Sequence, residues 1–276
     1  MSRPDPALLS LNTATVRAQW KLDRIIAGCE RYGIRGIAPW RDQVAELGLE
    51  ETRRRIRGAG LTVTGLCRGG FVTAQGRPGL AAAIEENRRA IEEAAELSAQ
   101  CLVLVVGGLP DGSRDIAGAR ALVEEGVAAI LEDARQAGLP LAIEPLHPMY
   151  AADRACINTI AQANALCERL GDGIGIAVDV YHVWWDPELE RGIAATPSRR
   201  LLGFHICDWL SPTADLLTDR GMMGDGVIDI RGIRGWMQAA GYRGFHEVEI
   251  FSANNWWKRD PDEVLRTCKA RHAEVC

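Results

Sequence analysis

Short apolar runs alternate along the whole chain with longer stretches whose apolar residues recur every three or four positions. Compact apolar runs bounded by glycine, proline or polar residues predict buried strands, and the longer periodic stretches predict amphipathic helices. Strands are predicted at Leu8–Asn12, Ile34–Trp40, Leu61–Cys67, Cys101–Val106, Leu139–Pro145, Gly173–Asp179, Leu201–Asp208 and Gly244–Phe251. The helices between and after them are predicted at Val16–Tyr32, Val44–Arg57, Leu80–Ser98, Ile116–Ala137, Thr159–Leu170, within Pro187–Ala195, Ile230–Ala240 and Pro261–Arg271.

Strands that alternate with helices in this way predict a parallel sheet. Eight such units in 276 residues match the count and size of a single (β/α)₈ barrel, the TIM barrel, as one α/β domain spanning 1–276. An open doubly wound sheet would show a glycine-rich phosphate turn after the first strand, and Leu11-Asn12-Thr13-Ala14 offers none.

Composition narrows the class. The chain is 47% hydrophobic and 25% charged, with a net charge of −5 and a sequence pI of about 5.6. An acidic protein of this kind has no electrostatic footprint for nucleic acid. The densest basic run, Arg53, Arg54, Arg55 and Arg57, sits beside Glu46, Glu50 and Glu51 and reads as a solvated helix face. No apolar run is long enough for a membrane span, and the N-terminus has no signal-peptide core. The eight cysteines form no CxxC pair. That fits a reducing, cytoplasmic setting rather than a disulfide framework.

In a barrel the chemistry lies at the C-terminal ends of the strands. Strand five ends in Glu144, six in Asp179, seven in His205 and Asp208, and eight in Glu249; His147 and His182 follow in the next turns. The two-residue period puts Ala142 with Glu144, Ala177 with Asp179, and Glu247 with Glu249 on common faces. Acids from neighbouring strands would repel at such range and could not all stay ionised without a cation. A divalent ion resolves the repulsion, and oxygen donors with one imidazole suit Mn²⁺, Mg²⁺, Co²⁺ or Zn²⁺.

The motifs Ile143-Glu144-Pro145, Val178-Asp179-Val180-Tyr181-His182, Phe204-His205-Ile206-Cys207-Asp208, Gly224-Asp225-Gly226 with Ile228-Asp229, and Val248-Glu249-Ile250 bring the chain to a family. It resembles the xylose-isomerase-like barrels, in their sugar (phosphate) isomerase and epimerase branch. The resemblance implies one divalent metal, Mn²⁺ foremost, held by Glu144, Asp179, His205 and Glu249. It further implies Glu144 and Glu249 as paired acid and base, with His182 looking toward substrate oxygens. Homodimers and homotetramers are common among the proteins it resembles. The reaction this constellation serves is proton transfer next to a carbonyl through an enediolate, whose charge the metal offsets. Return of the proton to the neighbouring carbon isomerises, return to the opposite face epimerises, and loss of a β-hydroxyl makes the enzyme a lyase or dehydratase.

Other residues fill out the expected mouth. Trp40, Trp184, Trp185, Trp209, Trp256 and Trp257 fall at or just after strand ends. Such aromatics predict an apolar-walled pocket for a non-phosphorylated keto-sugar, a glycoside or a polyol derivative. Trp40, Trp184, Trp209 and Trp256 are the expected substrate contacts, with Arg68 and Arg220 on substrate oxygens. Asp208 is expected to orient His205, His147 to support the loop after Glu144, and Glu247 to make an ion pair in the barrel floor. His246 is expected to face outward against a helix, and Met222–Gly226 to lie mobile over the site. An abasic-site endonuclease, from the same superfamily, would need histidines before the fifth strand, and none is there. A retired, sugar-binding barrel would not need both glutamates.

Overall fold

Almost every predicted apolar run becomes a stave of a parallel barrel in the computed structural model, which describes residues 3–74 and 76–276. The strands are β1 (Leu9–Asn12), β2 (Gly36–Ala38), β3 (Thr62–Val63), β4 (Leu66–Gly70), β5 (Leu102–Val105), β6 (Leu141–Ile143), β7 (Ile174–Asp179), β8 (Leu201–Ile206), a short hairpin of β9 (Asp208–Trp209) and β10 (Arg220–Gly221), and β11 (His246–Val248). The sheet runs β3-β2-β1-β11-β8-β7-β6-β5-β4, all in parallel pairs.

Closure depends on the third predicted strand. It is interrupted at Thr64-Gly65, so that its first part pairs with β2 and its second with β5. Both edges of the sheet therefore belong to one stretch of chain, and a bridge from Trp40 to Cys67 stitches the seam.

The surrounding helices are α1 (Leu22–Tyr32), α2 (Arg41–Leu47), α3 (Leu49–Gly58), α4 (Gly76–Glu96), α5 (Ile116–Gln136), α6 (Ile160–Leu170), α7 (Val180–Val183), α8 (Leu189–Ala195), α9 (Ile230–Ala239) and α10 (Pro261–Val275). Two predicted helices are corrected. The stretch from Val16 begins with a 3-10 turn at Thr13–Val16, and the α-helix starts only at Leu22. The helix predicted over Val44–Arg57 is broken at Gly48, whose φ of +92° lies outside helical space and is open to glycine at little cost. Arg54 lies exposed on α3 and Arg53 and Arg55 partly so, paired with Glu50, Glu51 and Glu96.

Two apolar layers separate inside from outside. Between sheet and helices lies the main core, from Leu9 to Cys276. Within the barrel a smaller cluster of Cys67, Cys101, Val103, Ala142 and Ala177 packs with Trp40 and Leu202. These mostly small side chains leave room for polar groups above them. All eight cysteines are free and buried.

Candidate metal centre and active site

Register places the polar residues. Asp179 on β7, His205 on β8 and Glu247 on β11 are cross-strand partners in one layer of the sheet. Glu249 lies two residues beyond Glu247, and Glu144 directly follows β6. One ligand atom each from Glu144, Asp179, His205 and Glu249 fall within 4.8 Å of one another, all from buried residues. The four expected ligands are thus brought together by four neighbouring strands.

Each is held by partners of its own. Asp179 ends β7, and its Oδ1 accepts from the Tyr181 amide at 2.8 Å, starting the single turn of α7 that carries His182. His205 Nδ1 donates to Glu144 Oε1 at 2.9 Å, while Nε2 lies 3.7 Å from Glu247 Oε1. Glu247 is thereby the carboxylate behind the imidazole, the arrangement that fixes ring orientation when a histidine binds a metal. Its ionic partner in the barrel floor is His205; Thr64 Oγ1 and Asn12 Nδ2 each donate to it at 2.8 Å.

Asn12 has no counterpart among the residues singled out from the sequence. Its Nδ2 bridges Glu247 and Glu249, at 2.8 and 2.9 Å, and its Oδ1 accepts from Trp40 Nε1 at 2.8 Å. An amide at the end of β1 was the available signal, legible only once β1 is known to neighbour β11.

Arg220 is more deeply involved than a substrate contact. Its Nη1 donates to Asp179 Oδ2 at 2.9 Å and to Glu249 Oε2 at 3.1 Å, and its Nη2 to His182 Nε2 at 3.1 Å. Its guanidinium lies 4.4 Å from the Tyr181 ring centroid and 5.1 Å from that of Phe251. His182 Nδ1 is buried without a hydrogen-bond partner among the described residues.

The electrostatics follow from this packing. Burial pushes the Glu249 carboxyl up to about 8, with Glu144 and Asp179 adding to the rise and Arg220 only partly opposing it. Burial pushes Asp179 the same way, but Arg220, His182 and His205 outweigh it and hold the group below its ordinary value. Burial alone would lower His205; the surrounding carboxylates, Glu247 and Glu144 foremost, carry it well above 6.5 instead. His182 goes the other way, down to about 3, because burial dominates. The donor set, three buried carboxylates and one imidazole backed by a fourth carboxylate, fits a divalent ion.

A cavity of about 50 Å³ opens above the cluster, lined by Glu144, Glu249, His182, Arg68, Arg154, Arg220 and apolar groups that include Trp40, Tyr150, Leu217 and Phe251. An outer cleft of about 460 Å³ shares its Trp40, Cys67 and Arg68 wall.

Of the expected tryptophan contacts only Trp40 lines this space. Trp184 and Trp209 pack against each other at 5.7 Å, with Trp209 also against Tyr181 at 4.7 Å and His147 at 5.1 Å. Trp256 is buried and donates to Asp225 Oδ2 at 3.1 Å; Trp185 and Trp257 donate to the carbonyls of His182 and Ala14. These rings fasten loops to the barrel rim, and the aromatic residues that line the cavity are Trp40, Tyr150 and Phe251.

Asp208 makes no hydrogen bond or ion pair with His205. Its carboxylate accepts from the amides of Trp209, Gly224 and Ile228 at 2.9–3.0 Å, clamping the loop that follows β10. That loop is consequently no lid, and Met222 and Met223 are fully buried in it. The segment over the cavity is instead 210–219, whose Leu217 lines it and whose Leu216 carbonyl accepts from Tyr150 and Tyr181 hydroxyls at 2.7 and 3.0 Å. His147 caps the 3-10 turn after Glu144, its Nδ1 accepting from Met149 N at 3.2 Å. His246 faces outward, its Nδ1 2.9 Å from His272 Nε2 on α10.

A family model described as xylose isomerase-like TIM barrel matches residues 26–268. The chain belongs to that family. Protein SMc04130 from Sinorhizobium meliloti 1021 is 59% identical, with a TM-score of 0.97 over 99% of each chain. The IOLI protein solved with a bound zinc atom is 19% identical, with a TM-score of 0.82 over 97% of each chain. The 3-keto-D-glucoside 4-epimerase YcjR from E. coli is 19% identical, with a TM-score of 0.75 over 96% of this chain and 98% of its own. The last two likenesses are of fold. No curated protein matches the chain significantly by sequence.

Proposed function

We propose that this xylose isomerase-like barrel works as a single-domain, divalent-metal-dependent isomerase or epimerase on a keto-sugar or related polyol derivative. The observation that carries the reading is the convergence of Glu144, Asp179, His205 and Glu249 within 4.8 Å at the floor of a cavity. Those four would hold the ion. When bound, the ion supplies positive charge beside the substrate carbonyl and so lowers the cost of an enediolate.

The chain's own groups do the rest. Glu144 and Glu249 both line the cavity, so one takes the proton next to the carbonyl and the other returns it. His182, neutral through burial, stands as an uncharged partner for a substrate oxygen, and Arg220 holds it in place. Asn12 fixes Glu249 from below, and Trp40, Tyr150 and Leu217 help exclude water. The IOLI protein with its bound zinc and the 3-keto-D-glucoside 4-epimerase YcjR share this fold and are compatible with this chemistry.

The test is a panel of keto-sugars incubated in D₂O with Mn²⁺-, Mg²⁺-, Co²⁺- or Zn²⁺-loaded protein, read by mass spectrometry. Deuterium at a substrate carbon with otherwise unchanged mass is the expected result. Loss of water or of an aglycone would transfer the same residues to a lyase, and no exchange with any keto-sugar would sink the proton-transfer reading.

A further inference from the structure

Arg68 and Arg154 line the same cavity as Glu144 and Glu249, and neither is used by the chemistry above. Arg68 follows β4's first residues and is half-buried. Its guanidinium lies 4.3 Å from the centroid of Phe71 and 5.9 Å from that of Trp40. Among the described residues no carboxylate lies within ion-pair distance of it. Phe71 adopts φ +54°, an uncommon conformation for a residue with a side chain, and the ring it presents there stacks on Arg68.

Arg154 lies 5.4 Å from the Tyr150 centroid, and its one ion pair among the described residues, to the exposed Asp153, is long at 3.9 Å. The two guanidiniums feel each other. Burial, followed by the like charge of Arg154, pulls Arg68 below its ordinary value. Glu144 and Asp42 partly offset this, but Asp42 is paired with Arg17, and Glu144 is engaged by His205 and would be committed to the metal.

Two like charges facing one cavity are costly unless an anion joins them, and planar guanidiniums stacked on rings keep their N–H edges for oxyanions. We propose that Arg68 and Arg154 form a subsite for an oxyanion on the substrate, a carboxylate or a phosphate carried at the end remote from the reacting carbon. This rests on the keto-sugar reading and names its substrate class as acidic or phosphorylated. It replaces the neutral substrate that the tryptophan-rich strand ends predict.

Three-carbon probes test it without requiring the right sugar stereochemistry. Mn²⁺-loaded protein is titrated calorimetrically with glycerol, D-glycerate and glycerol 3-phosphate. At least one anion is expected to bind tenfold or more tightly than glycerol; glycerate ahead points to an acid sugar, glycerol 3-phosphate ahead to a phosphorylated one. Arg68→Met and Arg154→Met should each reduce that advantage by about tenfold, while Arg68→Lys keeps part of it. Thermal melts confirm that the variants are folded, and Arg154, being partly exposed, provides the safer of the two.

A smaller advantage, or one that survives both substitutions because the anion sits on the metal, overturns the proposal. Failure here is separable from failure of the catalytic reading. Arginine-dependent anion binding without deuterium exchange on any keto-sugar leaves this subsite standing and removes the proton transfer. Exchange on neutral keto-sugars without an anion advantage does the reverse.

Discussion

Strand β11 has buried polar chemistry on both faces, and the two faces have opposite electrostatics. Inward, Glu247 and Glu249 meet His205, Asn12 and Arg220; outward, His246 meets His272. Both sides bury imidazoles. Inside, carboxylates outweigh burial and carry His205 well above 6.5. Outside, burial acts with a neighbouring imidazole and Arg234 nearby, and His246 falls to about 3. The outer pair is therefore neutral and complete in itself. The inner cluster is charged and gathers four groups that could hold a cation. Burial of a polar residue does not mark a site; what the burial leaves unbalanced does.

The largest effect should come from the inner face. Glu249→Gln keeps the size and the Asn12 contact but removes a base and a ligand charge. Turnover of any accepted substrate should fall by ~10²–10⁴-fold, measured as the rate of deuterium exchange. Turnover close to wild type would break the comparison outright.

Arg220→Met tests whether the cluster's charge is held by that guanidinium when no metal is present. It strands Asp179 and Glu249, so chelator-treated protein should lose about 3–5 kcal/mol of stability. Saturating Mn²⁺ should restore much of the loss, because a ligand that binds only the folded state stabilises it. Denaturant melts with and without metal give both values.

The outer face predicts a pH dependence with a definite sign. His246 and His272 are held down to about 3 and about 4, against 6.5 when unfolded, by burial foremost. Below pH 6.5 the unfolded chain takes up protons that the folded chain refuses. Their contribution is therefore full above pH 6.5 and is lost as pH falls toward 4, by up to about 1.4 kcal/mol per pH unit for each imidazole. The double variant His246→Gln/His272→Gln should flatten this acid limb in melts between pH 7 and 4.5, with deuterium exchange at pH 7 unchanged.

The smallest effect lies outside both faces. Arg54 is 65% exposed and paired with Glu51 on α3. Arg54→Ala should change stability by less than ~1 kcal/mol, by the same melts, which would confirm that arginine matters here where water is absent.

Much of the barrel was legible because its staves are apolar runs whose period differs from that of the helices. The break at Gly48 was not, since an isolated glycine is tolerated within a helical pattern and only the packing of α2 and α3 demands the turn. The split third strand was equally hidden, because one apolar run reads the same whether it pairs on both sides at once or on one side after the other. The inward alternation of Glu144, Asp179, His205 and Glu249 could be read from period two alone.

Their neighbours could not. Asn12 and Glu249 are 237 residues apart, and Arg220 reaches Asp179 across 41. The tryptophans show the limit most clearly, because a large ring at a strand end suits a pocket wall and a loop anchor equally. The chain's local pattern determined the barrel, the four converging strand ends and the outward turn of His246, since these depend on periodicity. The folded structure alone decided which cations meet which acids, which rings face the cavity, and which two arginines face it beside the acids. Those are contacts between distant segments, and no local period encodes them.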